Sequence, residues 1–230
     1  MRELTVRECI SFGWRTFKAR PWLFVGAGLV LLLVDVLASA PDQYFNHLSK
    51  VPPHAAWLII VAGLASGIWK LVEIVISNYA AIGTRHFMLK AHDETEAAEL
   101  RDLIYLHAFW RYLVMSGIYF LCVLIGFVLL IVPGIILAIG WQFAPYLVVE
   151  QGAGPIDALK RSWELTRGNR WTLFLLGLAL IGLNLLGLCA LVVGLLVTLP
   201  VTTLAGVHAY RTLLAARTGS EPAIETEADS

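Results

Sequence analysis

The stretch AWLIIVAGLASGIWKLVEIVISNYAAIG, residues 56–83, decides how the chain must be read. A helix rising about 1.5 Å per residue needs about 20 apolar residues to cross roughly 30 Å of hydrocarbon, and this run exceeds that length. It also carries Lys70 and Glu73, one helical turn apart on one face. Ionisable groups at that depth cost at least about 2.5 kcal/mol each on insertion scales, so they are placed where something answers them. Lys70 and Glu73 are therefore the first candidate polar site. Two readings stay open: the residues pair with each other, or they line a polar path.

The rest of the composition agrees with a membrane setting. The 230 residues are 58% hydrophobic and 15% charged, against about 25% charged in an average soluble domain. Formal net charge is zero, so the electrostatic message lies in where the charges sit. The three cysteines are far apart and the six histidines dispersed; neither set has metal-ligand or disulfide-framework spacing. We expect no cofactor and no metal. No phosphate-binding Gly loop and no nucleophile elbow occurs, so no enzyme activity is expected.

Working outward, six spans fit. WLFVGAGLVLLLVDVLASA (22–40) reads as a retained transmembrane helix, not a signal peptide, because Pro41 occupies the would-be cleavage position. Residues 56–83 make the second span. Residues 112–150 hold two, with the turn near Gly126 or at Pro133-Gly134. Residues 171–213 hold the last two, with Gly187 as the expected break. Asp35, near the outer end of the first span, lies about 8 Å deep against about 20 Å for Lys70. It is expected to meet outer water, Lys50, His47 or His54 rather than Lys70.

Six spans put fifteen Lys and Arg residues on one side of the membrane and Lys50 alone on the other. This segregation places both termini in the cytoplasm of a bacterial inner membrane. The basic clusters are also candidate contacts for anionic headgroups. The cytoplasmic segments read as amphipathic helices. TVRECISFGWRTFKAR opens on Thr5-x-x-Glu8, a capping-box pattern, with Val6, Ile10, Gly13, Trp14 and Phe17 on one face. Leu100, Leu103, Ile104 and His107 form a second stripe. In GPIDALKRSWELTRGNRW, Pro155 suits a first helical position, and Asp157–Arg161 and Lys160–Glu164 have i,i+4 ion-pair spacing. The expected fold is thus an all-α integral membrane protein of three helical hairpins, each preceded by a short amphipathic cytoplasmic helix. One domain covers 1–215, in units of about 1–90, 91–150 and 151–215. Residues 216–230 are expected to be a disordered acidic tail.

IVPGIILAIGWQFAPYLVVEQGAGPIDALKRSWELTRGNRW (131–171) carries a further signature. A Pro-Gly apolar segment leads to a Pro-hydrophobic-acid end, then to an Ala-Leu-x-x-Ser-x-x-Leu helix and a basic turn. The matching positions are Pro133, Gly134, Pro145, Glu150, Gly154, Ala158, Leu159, Ser162, Leu165 and Arg170. This resembles poorly characterised bacterial six-helix membrane-protein families, including the membrane domain beside the catalytic domain of some glycerophosphodiester phosphodiesterases. The resemblance implies the fold and no activity, since six spans leave no room for the phosphodiesterase barrel.

Function on these grounds is that of a non-enzymatic scaffold or accessory to a membrane or lipid-related system. The alternative is a small transporter or channel component using Lys70 and Glu73. The expected partners are the bilayer and a membrane protein, with no nucleic acid. Gly63-x-x-x-Gly67 alone is thin ground for a homo-oligomer.

Overall fold

The structure, a computed structural model, describes residues 4–48, 56–105 and 108–219; the side chains of 42–48, 56, 58, 59, 62, 191–193 and 218 are outside the description. The expected acidic tail falls outside it from residue 220 onward. Among the described residues the chain is helical and has no strand. The helices are α1 (Val6–Ala19), α2 (Pro21–Leu48), α3 (Ala56–Asp93), α4 (Phe109–Leu129), α5 (Ile131–Trp141), α6 (Ala144–Gln151), α7 (Pro155–Leu165), α8 (Arg170–Cys189) and α9 (Leu191–Thr218). A 3-10 turn, Leu100–Leu103, precedes α4. Among the described residues, four segments are long and apolar enough to cross a membrane: Pro21–Pro41, Phe109–Leu129, Ile131–Gln151 and Arg170–Cys189.

Several boundaries differ from the sequence expectation. The helix begun at residue 56 runs on to Asp93, because residues 84–93 contain neither Gly nor Pro to stop it. Gly83 does not end it; it lets the chain at Leu103 close in, since a Cβ there would lie 1.8 Å from the Leu103 carbonyl oxygen. The stripe expected at 100–107 is a single 3-10 turn, and His107 lies outside the described residues. The α4–α5 hairpin breaks at Leu130 (φ −162°, ψ 140°), between the two expected turn sites. Gly126 and Gly134 instead face each other: a Cβ on Gly126 would approach the Gly134 Cα to 3.0 Å. Pro133 sits in the first turn of α5, where its missing N–H costs nothing. The α8–α9 hairpin breaks at Ala190, while Gly187 is the contact where α8 meets Thr198 of α9.

The amphipathic α1 lies along α9, with contacts to α8 and α2. Its buried face is Cys9, Gly13, Thr16 and Phe17, whereas Trp14 is exposed with the Lys18 ammonium 5.1 Å from its ring centroid. The Gly13 position would put a Cβ 2.4 Å from the Val201 carbonyl oxygen, so α1 and α9 touch backbone to backbone. Thr5 does cap the helix by position, but its hydroxyl donates to the Glu8 carboxylate (3.1 Å) and accepts no backbone N–H. The reciprocal capping box occurs instead at Glu99 and Asp102.

The core sits where α3, α4, α6, α7, α8 and α9 converge. Phe87, Ala91, Met115, Val148, Ala158, Leu173, Leu204 and Tyr210 belong to one buried cluster. By contrast, the outer half of the α2–α3 hairpin exposes Leu33, Leu37, Leu64, Ile68 and Leu71.

Candidate functional site

The residues of the sequence signature form a clamp on a broken helix. After α5 the chain turns at Gln142–Phe143, and α6 restarts with Pro145 in its first turn. Such a break frees backbone groups that need partners. Ser162 of α7, fully buried, supplies them: its hydroxyl donates to the Gly140 carbonyl (2.9 Å) and accepts from the Phe143 N–H (3.2 Å). Thr166 adds a bond to the same Gly140 carbonyl (3.3 Å). Gly140 must lack a side chain, because a Cβ would stand 2.3 Å from the Trp163 ring.

The neighbouring signature positions act alongside. Ala158, Leu159, Ser162 and Leu165 are the buried face of α7. Gly154 is its N-cap residue, and Pro155 follows in the first turn. Arg170 lies 3.7 Å from the Trp163 ring centroid, a close cation–π contact. The two ion pairs expected on α7 are not made among the described residues; Arg161 reaches Gln151 of α6 instead (3.3 Å).

Glu150, the acid of the signature, belongs to a polar network at one end of the bundle. It accepts from the Tyr210 hydroxyl (2.7 Å) and pairs with Arg211 of α9. Arg211 also pairs with Asp93 at the end of α3. Asp93 meets the Nδ1 of His92 (2.9 Å), and the His92 Nε2 lies 3.2 Å from the His208 Nδ1. Phe12 of α1 stacks on His208 with ring centroids 4.3 Å apart. The network therefore joins α1, α3, α6 and α9 through partners more than fifty residues apart. Burial pulls the Asp93 carboxyl upward, but His92 and the Arg211 charge outweigh it and hold it below the usual carboxylate range. A mixed-charge cleft of about 320 Å³ opens beside it, lined by His86, Lys90, Asp93, Tyr105, Glu150 and Arg211.

Basic residues that the topology reading treats as a bulk charge excess hold loops individually. The Arg20 Nη1 donates to the carbonyls of Thr95, Glu96 and Ala98 (3.1, 2.8 and 3.1 Å). Arg111 donates to the Gly152 carbonyl (2.6 Å), at a C-cap whose φ of 60° suits glycine. Lys90 bonds both oxygens of Asp102 (2.9 Å each). Asp102 is lifted by burial, but the Glu99 N–H and the Lys90 ammonium bring it below its ordinary value. Sequence reasoning missed all these partners, whose only trace was the placement of Arg and Lys at helix ends.

Lys70 and Glu73 are brought together at 2.6 Å on the outside of α3, with side chains 56% and 29% exposed. Gly63, Gly67, Lys70, Ile74 and Ser77 follow a four-three spacing along that outer surface. A Cβ on either glycine would meet nothing within 4 Å. Ser66 and Ser77 fold their hydroxyls back onto the Gly63 and Ile74 carbonyls (2.9 and 3.1 Å). Asp35 is exposed on α2. Its expected neighbours Lys50 and His54, and the His47 side chain, lie outside the described residues. Among the described residues no three His, Cys, Asp or Glu side chains converge as a metal set would require.

Fold and site together define an all-helical, membrane-associated protein whose polar groups join helix ends. A family model described as a domain of unknown function (DUF7847) matches residues 104–219, just over half of the 230 residues, and the chain belongs to that family. No curated protein and no solved structure matches it.

Proposed function

We propose that the chain is a non-enzymatic multi-pass protein of a bacterial inner membrane, a scaffold or accessory to a membrane or lipid-related system. In this reading the three hairpins supply six spans, and both termini are cytoplasmic. The polar network between α1, α3, α6 and α9 then lies at the cytoplasmic end, level with the basic clusters.

The observation that carries the reading is the outward stripe of α3. Large aliphatic side chains, Leu64, Ile68 and Leu71, cover one exposed side of this helix. Beside them run Gly63, Gly67, Lys70 and Ser77, small or charged and open to the outside. Helices in lipid associate through such small and polar faces, and an ion pair left against acyl chains is costly. The charge order suits a second copy of this chain: a two-fold axis sets each lysine against the other copy's glutamate. A polar path requires the pair to face a space shared by several helices, and its outward position favours docking over conduction.

The test is a protein with Cys9, Cys122 and Cys189 replaced and a single new thiol, Gly67→Cys. Oxidation in native membranes is expected to give a covalent dimer, suppressed by the added changes Lys70→Leu and Glu73→Leu. A thiol at Leu64 serves as the lipid-facing control. Equal cross-linking at 64 and 67 defeats the docking reading. Ion flux in proteoliposomes that is lost in the Lys70→Leu/Glu73→Leu variant, with its melting temperature kept, establishes the transporter instead.

A further inference from the structure

Arg85 lies on α3 about 12 Å before its end at about 1.5 Å per residue, inside the wall formed with α4 and α6. Its guanidinium is 5.4 Å from the Tyr112 ring centroid and 5.8 Å from that of Tyr146. The Tyr119 and Tyr146 hydroxyls are also near enough to feel its charge. Of the donors a guanidinium offers, one is used: Nη1 donates to the Ala81 carbonyl of its own helix (3.2 Å). Its Nε is buried with no acceptor. Among the described residues no carboxylate pairs with Arg85, and the hydroxyls of Tyr112, Tyr119 and Tyr146 make no hydrogen bond with one another or with other groups. Gln142, at the break between α5 and α6, likewise buries an Nε2 with no acceptor.

This differs from four other helix-end cations, while Arg170, whose Nε is also buried without an acceptor, lies against the Trp163 ring. Arg20, Lys90, Arg111 and Arg211 are all answered by loop carbonyls or carboxylates. Around Arg85 there are donors and no acid. A buried N–H without an acceptor is costly, and the half-buried Arg85, whose Nε has none, can take an acceptor from outside the chain. A planar guanidinium fork matches two oxygens of one anion, and the neighbouring tyrosine hydroxyls can donate to the others. A tetrahedral phosphate has oxygens enough for both.

We propose that Arg85, with Tyr112, Tyr119 and Tyr146, binds a phosphate group, carried by a phospholipid headgroup or as the free ion. The site is separate from the α3 stripe, and its fate does not depend on the scaffold reading.

The full chain, purified in detergent and stripped of lipid, is titrated with inorganic phosphate, with short-chain phosphatidylglycerol and with the matching diacylglycerol. Native mass spectrometry and melting temperature are the readouts. Binding is expected in a phosphate-bearing arm and not with diacylglycerol. Arg85→Leu should weaken it by about tenfold or more, as loss of a charge-assisted bond requires. Arg85→Lys, which keeps the charge without the fork, and Tyr119→Phe, which keeps the ring, should each weaken it severalfold. Response to phosphatidylglycerol alone identifies a headgroup site, and response to both an ion site. The proposal is overturned if neither phosphate compound binds, if diacylglycerol binds equally, or if the variants bind as the parent does. Should Arg85→Leu not fold, Arg85→Lys and Tyr119→Phe decide.

Discussion

The clamp around α5–α7 and the outer half of α3 use the same small residues for opposite ends. At Gly140 and Gly126 the absent Cβ is space already taken, by the Trp163 ring in one case and the Gly134 backbone in the other. At Gly63 and Gly67 the absent Cβ leaves open space. Serines divide in the same way: Ser162 bridges two helices, whereas Ser66 and Ser77 bond only their own helix. A small residue in an apolar helix thus has two uses, and the structure tells whether the space it leaves is filled within the chain or stays open.

The largest effect that separates the two regions is expected at Gly140→Val. Two methyls driven into the Trp163 ring should cost about 3 kcal/mol, the upper part of the usual overpacking range, read as a lowered melting temperature of the purified protein. If Gly140→Val melts like the parent, the clamp is not a tight contact. Next comes Arg211→Met, which leaves Glu150 and Asp93 without their shared cation. About 2 kcal/mol is expected from the loss of hydrogen bonds to charged groups.

The same site sets an acid limb. Asp93 has a folded value held below its unfolded one of about 3.9. Its contribution is therefore present above that unfolded value and is lost as pH falls through the folded value. Melting curves taken down through pH 4 to 3 should show this loss in the parent and a shallower one in Arg211→Met. Equal slopes would detach Asp93 from the network. The smallest effect is expected at Gly67→Ala, where the added methyl meets open space. Monomer stability should stay level or rise by up to about 1 kcal/mol through helix propensity, while docking through the stripe weakens. A marked loss of monomer stability there would show the stripe to be packed internally.

The sequence signature at 131–171 was legible as a pattern, and each of its residues has a structural task. Pro133 and Pro145 start helices, Gly134 meets Phe127, and Ser162 holds the break before α6. Hydrophobic length was enough to mark the apolar segments, but not their ends. The helix through Lys70 continues to Asp93 because local propensity has no stop signal, and the 100–107 stripe collapses to one turn. Periodicity placed Lys70 and Glu73 on one face, yet could not say which way that face points. Arg85 entered only as one of the fifteen basic residues of the charge segregation, because in sequence it is one more cation beyond a span.

Apolar length, the crowding of charge into a few segments and the Pro/Gly punctuation are properties of neighbouring residues, and the sequence by itself determined them. It therefore determined an all-helical, membrane-seeking chain. Tertiary structure alone decided the partners. Glu150 finds Arg211 across 61 positions and Arg20 finds the Glu96 carbonyl across 76, while Arg85 finds aromatic rings and no acid. The physical reason is that a helix periodicity orients a side chain about its own axis only. Whether that direction holds a carbonyl, a carboxylate, a ring or open space depends on which helices pack alongside.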